Sequence, residues 1–205
     1  MSYTELAQSV KFATKKSGAV TVIEKDSSLE YIGSGRSAFV YRIQSSNIVV
    51  KIFFPPFDHL AKEEADIYRD IQGTPYYTTL YEVGPNYLVM DYIDGHTLFE
   101  CLRKGIQITA EHIKEVDKAL SFARERGMNP SDIHLRNIII TTHGKIKIID
   151  VARFRQSKNC TQWEDLKAAF YRFYRLPLFP KKIPAFVLNL TAALYKKNLL
   201  KLVTG

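Results

Sequence analysis

Asp132-Ile133-His134-Leu135-Arg136-Asn137 lies between a helical pattern that stops at Gly127 and an apolar run over residues 138–140. Thirteen residues after Asn137 a second apolar run ends on a carboxylate, in Ile148-Ile149-Asp150. An aspartate and an asparagine five residues apart can face one site from the two ends of a loop. The first can accept a proton from a hydroxyl, and the second can give its amide oxygen to a metal. A carboxylate at a strand end is a hard ligand suited to magnesium bridging phosphates. Each residue also has an ordinary use, because Asp and Asn cap helices and build turns and Asp150 could merely end its strand.

Outward from this loop, the second half of the chain reads as mainly helical. Residues 97–103 form a short helix. Thr109, three residues before His112 and followed by Glu111, opens a longer one through Arg126, with Gly127 as its stop. Residues 137–142 and 145–150 read as a hairpin turned by His143-Gly144. Two further helical segments are expected over 161–176 and 184–200.

The first half has the opposite character. Residues 4–16 are weakly helical. Short β-branched and aromatic runs follow at 20–24, 29–33, 39–43 and 47–54, separated by Gly, Ser and Asn, as in an antiparallel meander. Pro55-Pro56 stops the last of them. Leu60, Ala61, Ala65, Ile67, Tyr68 and Ile71 then recur at helical spacing over 58–71. Two more strands, 79–83 and 87–92, are joined by Gly-Pro-Asn. The expectation is a first lobe with a five-stranded antiparallel sheet and one helix.

Two features of this half bear on chemistry. Ile32-Gly33-Ser34-Gly35-Arg36-Ser37-Ala38-Phe39-Val40 is a glycine-rich turn between strands. Glycine lets backbone amides approach phosphate oxygens, although a plain hairpin turn has the same composition. A strand rather than a helix follows the glycines, which excludes a dinucleotide-binding fingerprint. The second feature is Lys51, a charge inside the apolar strand Val49-Val50-Lys51-Ile52. A buried ammonium needs an anion, and Glu63 or Glu64 could supply it. Glu64 lies four residues before Tyr68, which puts both on one helix face. A strand-edge lysine with a solvated tip is the alternative.

Composition bounds these readings. With 205 residues, 46% hydrophobic and 24% charged, the chain matches ordinary globular proteins and excludes disordered and collagen-like classes. Cys101 and Cys160 are isolated, without metal-ligand or disulfide-framework spacing. No signal-peptide core or run of about 18 apolar residues is present, so a cytoplasmic protein is expected. The net charge is +8, and the stretch from Thr161 onward supplies +6 of it: Lys167, Arg172, Arg175, Lys181, Lys182, Lys196, Lys197 and Lys201 against Glu164 and Asp165. Such an end can meet an anionic surface or be a solvated helix face. Phe170, Tyr171, Phe173 and Tyr174 are spaced for helix packing, not base stacking, so nucleic-acid binding is not expected.

In their order, the glycine turn, strand lysine, helix glutamate, Asp-x4-Asn and strand-end Asp resemble the protein kinase superfamily, over about residues 30–155 and more loosely to 176. The resemblance implies an α+β, two-lobed fold in one domain spanning 1–205. Residues of about 18–93 would form the N-lobe and hinge, and 94–205 a reduced, mainly helical C-lobe. It implies ATP and Mg²⁺ as cofactors. Ile32, Gly33, Ser34, Gly35 and Val40 would cover the nucleotide, and Lys51, paired with Glu64, would contact its α- and β-phosphates. Asp132 would be the base, Asn137 and Asp150 the metal ligands, and Met90 the border of an adenine pocket whose hinge backbone comes from Asp91, Tyr92 and Ile93. The implied activity is transfer of the γ-phosphate to a hydroxyl, as in a serine/threonine protein kinase. An unidentified protein or small molecule would be the acceptor.

The departures are informative too. Ala38 stands for the third glycine, Pro130-Ser131-Asp132 for His-Arg-Asp and Asp150-Val151-Ala152 for Asp-Phe-Gly, and no Ala-Pro-Glu occurs. About a dozen residues separate Asp150 from the next helix. No long phosphorylatable segment fits there, so regulation by loop phosphorylation is not expected. Asp-Ile-His-Leu-Arg-Asn is also similar to loops of small-molecule and lipopolysaccharide kinases and of atypical bacterial protein kinases. A small-molecule or lipid-sugar kinase and an inactive nucleotide-binding scaffold are therefore the alternatives.

Overall fold

The computed structural model describes residues 1–197. These divide into two compact units, one of Met1–Gly73 with Thr78–Ile93, the other of Thr74–Tyr77 with the chain from Asp94 onward.

The first unit opens with helix α1 (Tyr3–Ser9), started by a reciprocal cap between Ser2 and Glu5. The helix expected over 4–16 ends there. Lys11–Thr14 (β1) instead turns back at Gly18, with φ 81°, onto Val20–Glu24 (β2). The reason is packing: Phe12 and Val22, opposite each other in this hairpin, both lie against the apolar core. The run at 20–24 is thus a strand, but it pairs outside the main sheet. That sheet has five antiparallel strands in the order β3 (Leu29–Ser34), β4 (Ala38–Ile43), β5 (Ile48–Phe53), β7 (Tyr87–Asp91) and β6 (Leu80–Val83). Helix α2 (Leu60–Ile71) interrupts it after the prolines.

The pleat sorts the strand residues into two faces. Tyr41, Val50, Ile52, Tyr87 and Val89 form a buried cluster with Leu6, Ala7 and Val10 at the α1 end of the chain. On the opposite face, Gly33 pairs with Val40, Val40 with Lys51 and Lys51 with Leu88, while Val49, two residues from Lys51, pairs with Met90. One face therefore packs against α1 and the β1–β2 hairpin, and α2 lies on the other through Glu64. That second face presents Val40, Lys51 and Met90.

The second unit is built on a small sheet, β10-β9-β8, of Ile146–Ile148, Ile138–Thr141 and Gly95–Thr97. Helices α3 (Leu98–Lys104) and α4 (Ala110–Glu125) pack on it, and α5 (Gln162–Ala169) and α6 (Ala185–Lys196) complete the unit. Strand β8 was not legible in the sequence pattern, since three residues give no alternation to read. Of the segment expected to be helical over 161–176, α5 stays α-helical only to Ala169, and Phe170–Tyr174 widens into a π-helical turn. Of the helix expected over 184–200, residues 198–200 lie outside the described residues, as does Lys201.

Helix α4 carries Ile113, Val116, Leu120 and Ala123 on its buried face. Its cap is reciprocal: Thr109 Oγ1 accepts from the His112 amide and His112 Nδ1 accepts from the Thr109 amide. Burial lowers the His112 pKa, which favours the neutral ring that an accepting Nδ1 requires. Tyr77 donates its hydroxyl to the Ala119 carbonyl at 2.6 Å and meets Phe154 edge-on, tying the segment after Asp150 to α4.

Gly95 fixes the approach of β8 to β9. A Cβ there would lie 2.3 Å from the Ile140 carbonyl oxygen and 2.7 Å from the Thr141 Cα, both backbone. Gly95→Ala is therefore expected to cost about 2 kcal/mol or more of stability, at the upper part of the range for overpacking, as a lowered urea midpoint.

Candidate active site

In the first unit, Lys51 stands at the middle of β5 with β4 on one side and β7 on the other, so a solvated strand-edge position does not describe it. Its Nζ lies 2.7 Å from both carboxylate oxygens of Glu64. The lysine side chain is 12% exposed and the glutamate 1%. Glu63 faces solvent. The helix phase explains the choice: Ala61, Glu64, Ala65 and Tyr68 form the inward stripe of α2, and Glu63 falls off it.

The glycine-rich turn connects β3 to β4, closed by the Gly35 amide on the Ala38 carbonyl at 2.9 Å. Ile32 occupies a bulge between Tyr31 and Gly33. Neither Gly33 nor Gly35 has a positive φ, and a Cβ at either would meet nothing within 4 Å. Nothing inside this unit requires glycine there, and the space it leaves open is room for a phosphate to approach the backbone. If the turn covers ATP, as the resemblance implies, Gly33→Ala and Gly35→Ala should leave the thermal melt unchanged while weakening ATP binding by roughly three- to tenfold. Calorimetric titration beside a melt checks this.

At the far end of β7, Met90 is buried. The Asp91 amide is bonded to the Thr79 carbonyl and the Tyr92 amide to the Asn47 carbonyl. The Asp91 carboxylate holds the Thr79 amide and the Tyr81 hydroxyl, and Arg42 stacks on the Tyr92 ring. Of the three residues expected to offer hinge backbone, Asp91 and Tyr92 thus already spend their amides within the unit. Ile93, the next residue, closes it.

The second unit holds the other predicted residues. The loop from α4 to β9 is pinned at several points. Asn129 donates its side-chain amide to the carbonyls of Gln156 and Lys158, Leu135 accepts from the Phe99 amide, and the Arg136 guanidinium lies 3.5 Å over the Phe99 ring. Ile133 and Ser131 are buried, leaving Asp132 between them half-exposed. Asn137 donates Nδ2 to the Asp132 carbonyl at 3.1 Å, which directs its Oδ1 the other way, and its own carbonyl accepts from the Ile149 amide. One residue thereby joins the loop to the strand end bearing Asp150.

Asp132 and Asp150 share a backbone property the sequence does not reveal: both adopt positive φ, 61° and 60°. Non-glycine residues rarely do so, and Asp tolerates it better than most. Strain of this kind gathers where a side chain must be aimed. His134, quoted in the motif but given no role, lies with Nε2 4.0 Å from Asp132 Oδ1; the only sequence signal for it is its place in Asp-x-His-x-x-Asn. Beside the loop, His134, Leu135 and Arg136 line a mainly apolar cavity of about 170 Å³ with residues of α5 and α6.

No protein-family model matches the chain. It is 49% identical over 179 residues to a Bacillus subtilis protein provisionally named serine/threonine-protein kinase YrzF, covering 86% of this chain and 83% of that one. Provisionally named serine/threonine-protein kinases of Clostridium acetobutylicum and Clostridium perfringens are 27% and 28% identical, over 76% and 60% of this chain. Those two are longer proteins, of which the match spans 26% and 20%.

Proposed function

Because this chain belongs to the protein kinase-like proteins, we propose that it transfers the γ-phosphate of ATP to a serine or threonine hydroxyl of a protein. The observation that carries the reading is the Lys51–Glu64 pair. A buried ion pair adds little to stability over apolar residues of similar volume. Here it holds an ammonium on the sheet face that also carries Val40 and Met90 and leaves space at Gly33. An oriented cation beside an open glycine turn suits α- and β-phosphates. The names of the relatives point the same way.

The donors suit magnesium. Among the described residues no three His, Cys, Asp or Glu side chains gather into a metal site of their own. Magnesium characteristically takes one or two protein oxygens and completes its shell with waters and substrate phosphates. Asn137 Oδ1 and the Asp150 carboxylate would hold it, and when bound it neutralises phosphate charge. The remaining work falls to the chain. Lys51 binds phosphate oxygens, and Asp132 orients the acceptor hydroxyl and takes its proton as oxygen bonds to the γ-phosphorus. The bond to the bridging oxygen breaks, leaving ADP.

A small-molecule or lipid-sugar hydroxyl is the second reading. It is favoured by the segment between Asp150 and α5, only residues 151–161, which is tied down by Asn129 and leaves little chain to grip a peptide.

Labelled ATP–Mg²⁺ offered to the purified protein, alone and with size-fractionated cell extract, tests the activity and separates the two acceptors. Tight ATP–Mg²⁺ binding without transfer to any acceptor would replace both with the inactive scaffold. Asp150→Asn, which keeps a residue tolerant of positive φ, is expected to raise the magnesium needed for ATP binding about tenfold with an unaltered melt. An unchanged magnesium titration counts against Asp150 as a ligand.

A further inference from the structure

Helix α6 has two unlike sides. Leu188, Ala192 and Tyr195 line the cavity beside the loop. Tyr195 donates its hydroxyl to Asp165 at 2.5 Å, and Asn189 accepts from Arg136 at 3.0 Å. This side is anchored within its unit. The other stripe, Phe186, Leu190, Ala193 and Lys197 at helical spacing, faces solvent, with Phe186 71% and Leu190 56% exposed. The segment leading into the helix adds Leu178 at 97% and Leu176 at 52%. Bulky apolar groups gathered on one short stretch mark a surface that meets something.

Charge identifies what it meets. From Leu166 to the end of the sequence there is no Asp or Glu, against eight Lys and Arg. Arg172, Arg175, Lys182 and Lys197, on the same stretch of chain as the apolar groups, are exposed. A second copy would set cations against cations, and a neutral apolar partner would leave them unanswered. Exposed apolar side chains interspersed with cations along one stretch match the boundary of an anionic bilayer, where acyl chains accept the first and headgroup phosphates the second. No helix among the described residues is long and apolar enough to cross a membrane, so the contact is peripheral. We propose that the exposed stripe of α6 and the segment before it dock this protein on anionic phospholipid surfaces.

The test is cosedimentation of the whole chain with vesicles of phosphatidylcholine alone and with about 30% phosphatidylglycerol. Binding is expected only to the anionic vesicles, and raising salt from about 0.05 to 0.5 M should weaken it at least tenfold. Phe186→Ser with Leu190→Ser, and separately Arg175→Gln, Lys182→Gln and Lys197→Gln together, should each reduce it about tenfold or more. These residues face solvent, and unchanged melts and ATP affinity would show that the fold survives. Absent binding to anionic vesicles, equal binding to neutral ones, or full binding by either variant overturns the proposal. Self-association abolished by the Phe186 and Leu190 changes, in a protein that ignores vesicles, would make a second copy the occupant instead.

Discussion

Asp132→Ala is expected to preserve ATP–Mg²⁺ binding and lower phosphoryl transfer by about 10²-fold or more, the loss typical of a general base that also positions the acceptor. Binding should survive because the proposed function gives Asp132 the acceptor hydroxyl and leaves the nucleotide contacts to Lys51, Asn137 and Asp150. The backbone complicates the experiment. Asp132 sits at φ 61°, where alanine costs about 1 kcal/mol or more, and its carbonyl receives the Asn137 amide. Asp132→Asn is therefore the companion variant, since asparagine tolerates that conformation and keeps the shape but lacks a proton-accepting carboxylate. Rates are compared per folded molecule, with folding followed by thermal melt. If both variants transfer at the wild-type rate, Asp132 serves the loop alone and the catalytic assignment is wrong. A fall that tracks only the folded fraction of the alanine variant says the same.

The sequence displayed the fold wherever a pattern had room to repeat. The α2 stripe of Ala61, Glu64, Ala65 and Tyr68 and the α4 stripe of Ile113, Val116, Leu120 and Ala123 run long enough for the helical period to show. Lys51 stood out because a charge in Val49-Val50-Lys51-Ile52 breaks an apolar run, and the phase of α2 separated Glu64 from Glu63. Short or irregular elements stayed hidden. Strand β8 has three residues and is defined by its partner β9. Lys11–Thr14 reads as a fading helix until Phe12 and Val22 find the shared core. The positive φ values of Asp132 and Asp150 have no local signature, and the loop that carries Asp132 is held by contacts distant in sequence, such as Asn129 to Gln156 and Lys158. The same holds for the spent amides of Asp91 and Tyr92, because hydrogen-bond partners twelve and forty-five residues away leave no local mark. Local patterns thus nominated residues, while their aim depends on the assembled loops.

Lys51→Met is expected to lower transfer by about 10²-fold or more and to destabilise the protein by about 3 kcal/mol. The stability loss comes from the partner left behind: Glu64 is 1% exposed, and removing one member of a buried pair strands an uncompensated charge. A single variant cannot separate this damage from loss of function, but a pair can. Lys51→Met with Glu64→Leu replaces both charges by apolar groups of similar volume on a stripe already bounded by Ala61, Ala65 and Tyr68. Such replacements are often neutral or stabilising, so the urea midpoint should return to near wild type. Transfer and ATP affinity should stay low, because no ammonium remains to meet the phosphates. Stability and activity then separate in the double variant. Recovery of both together would mean that the pair only supports the packing of α2 on β5, and the nucleotide-binding role of Lys51 would fall with it.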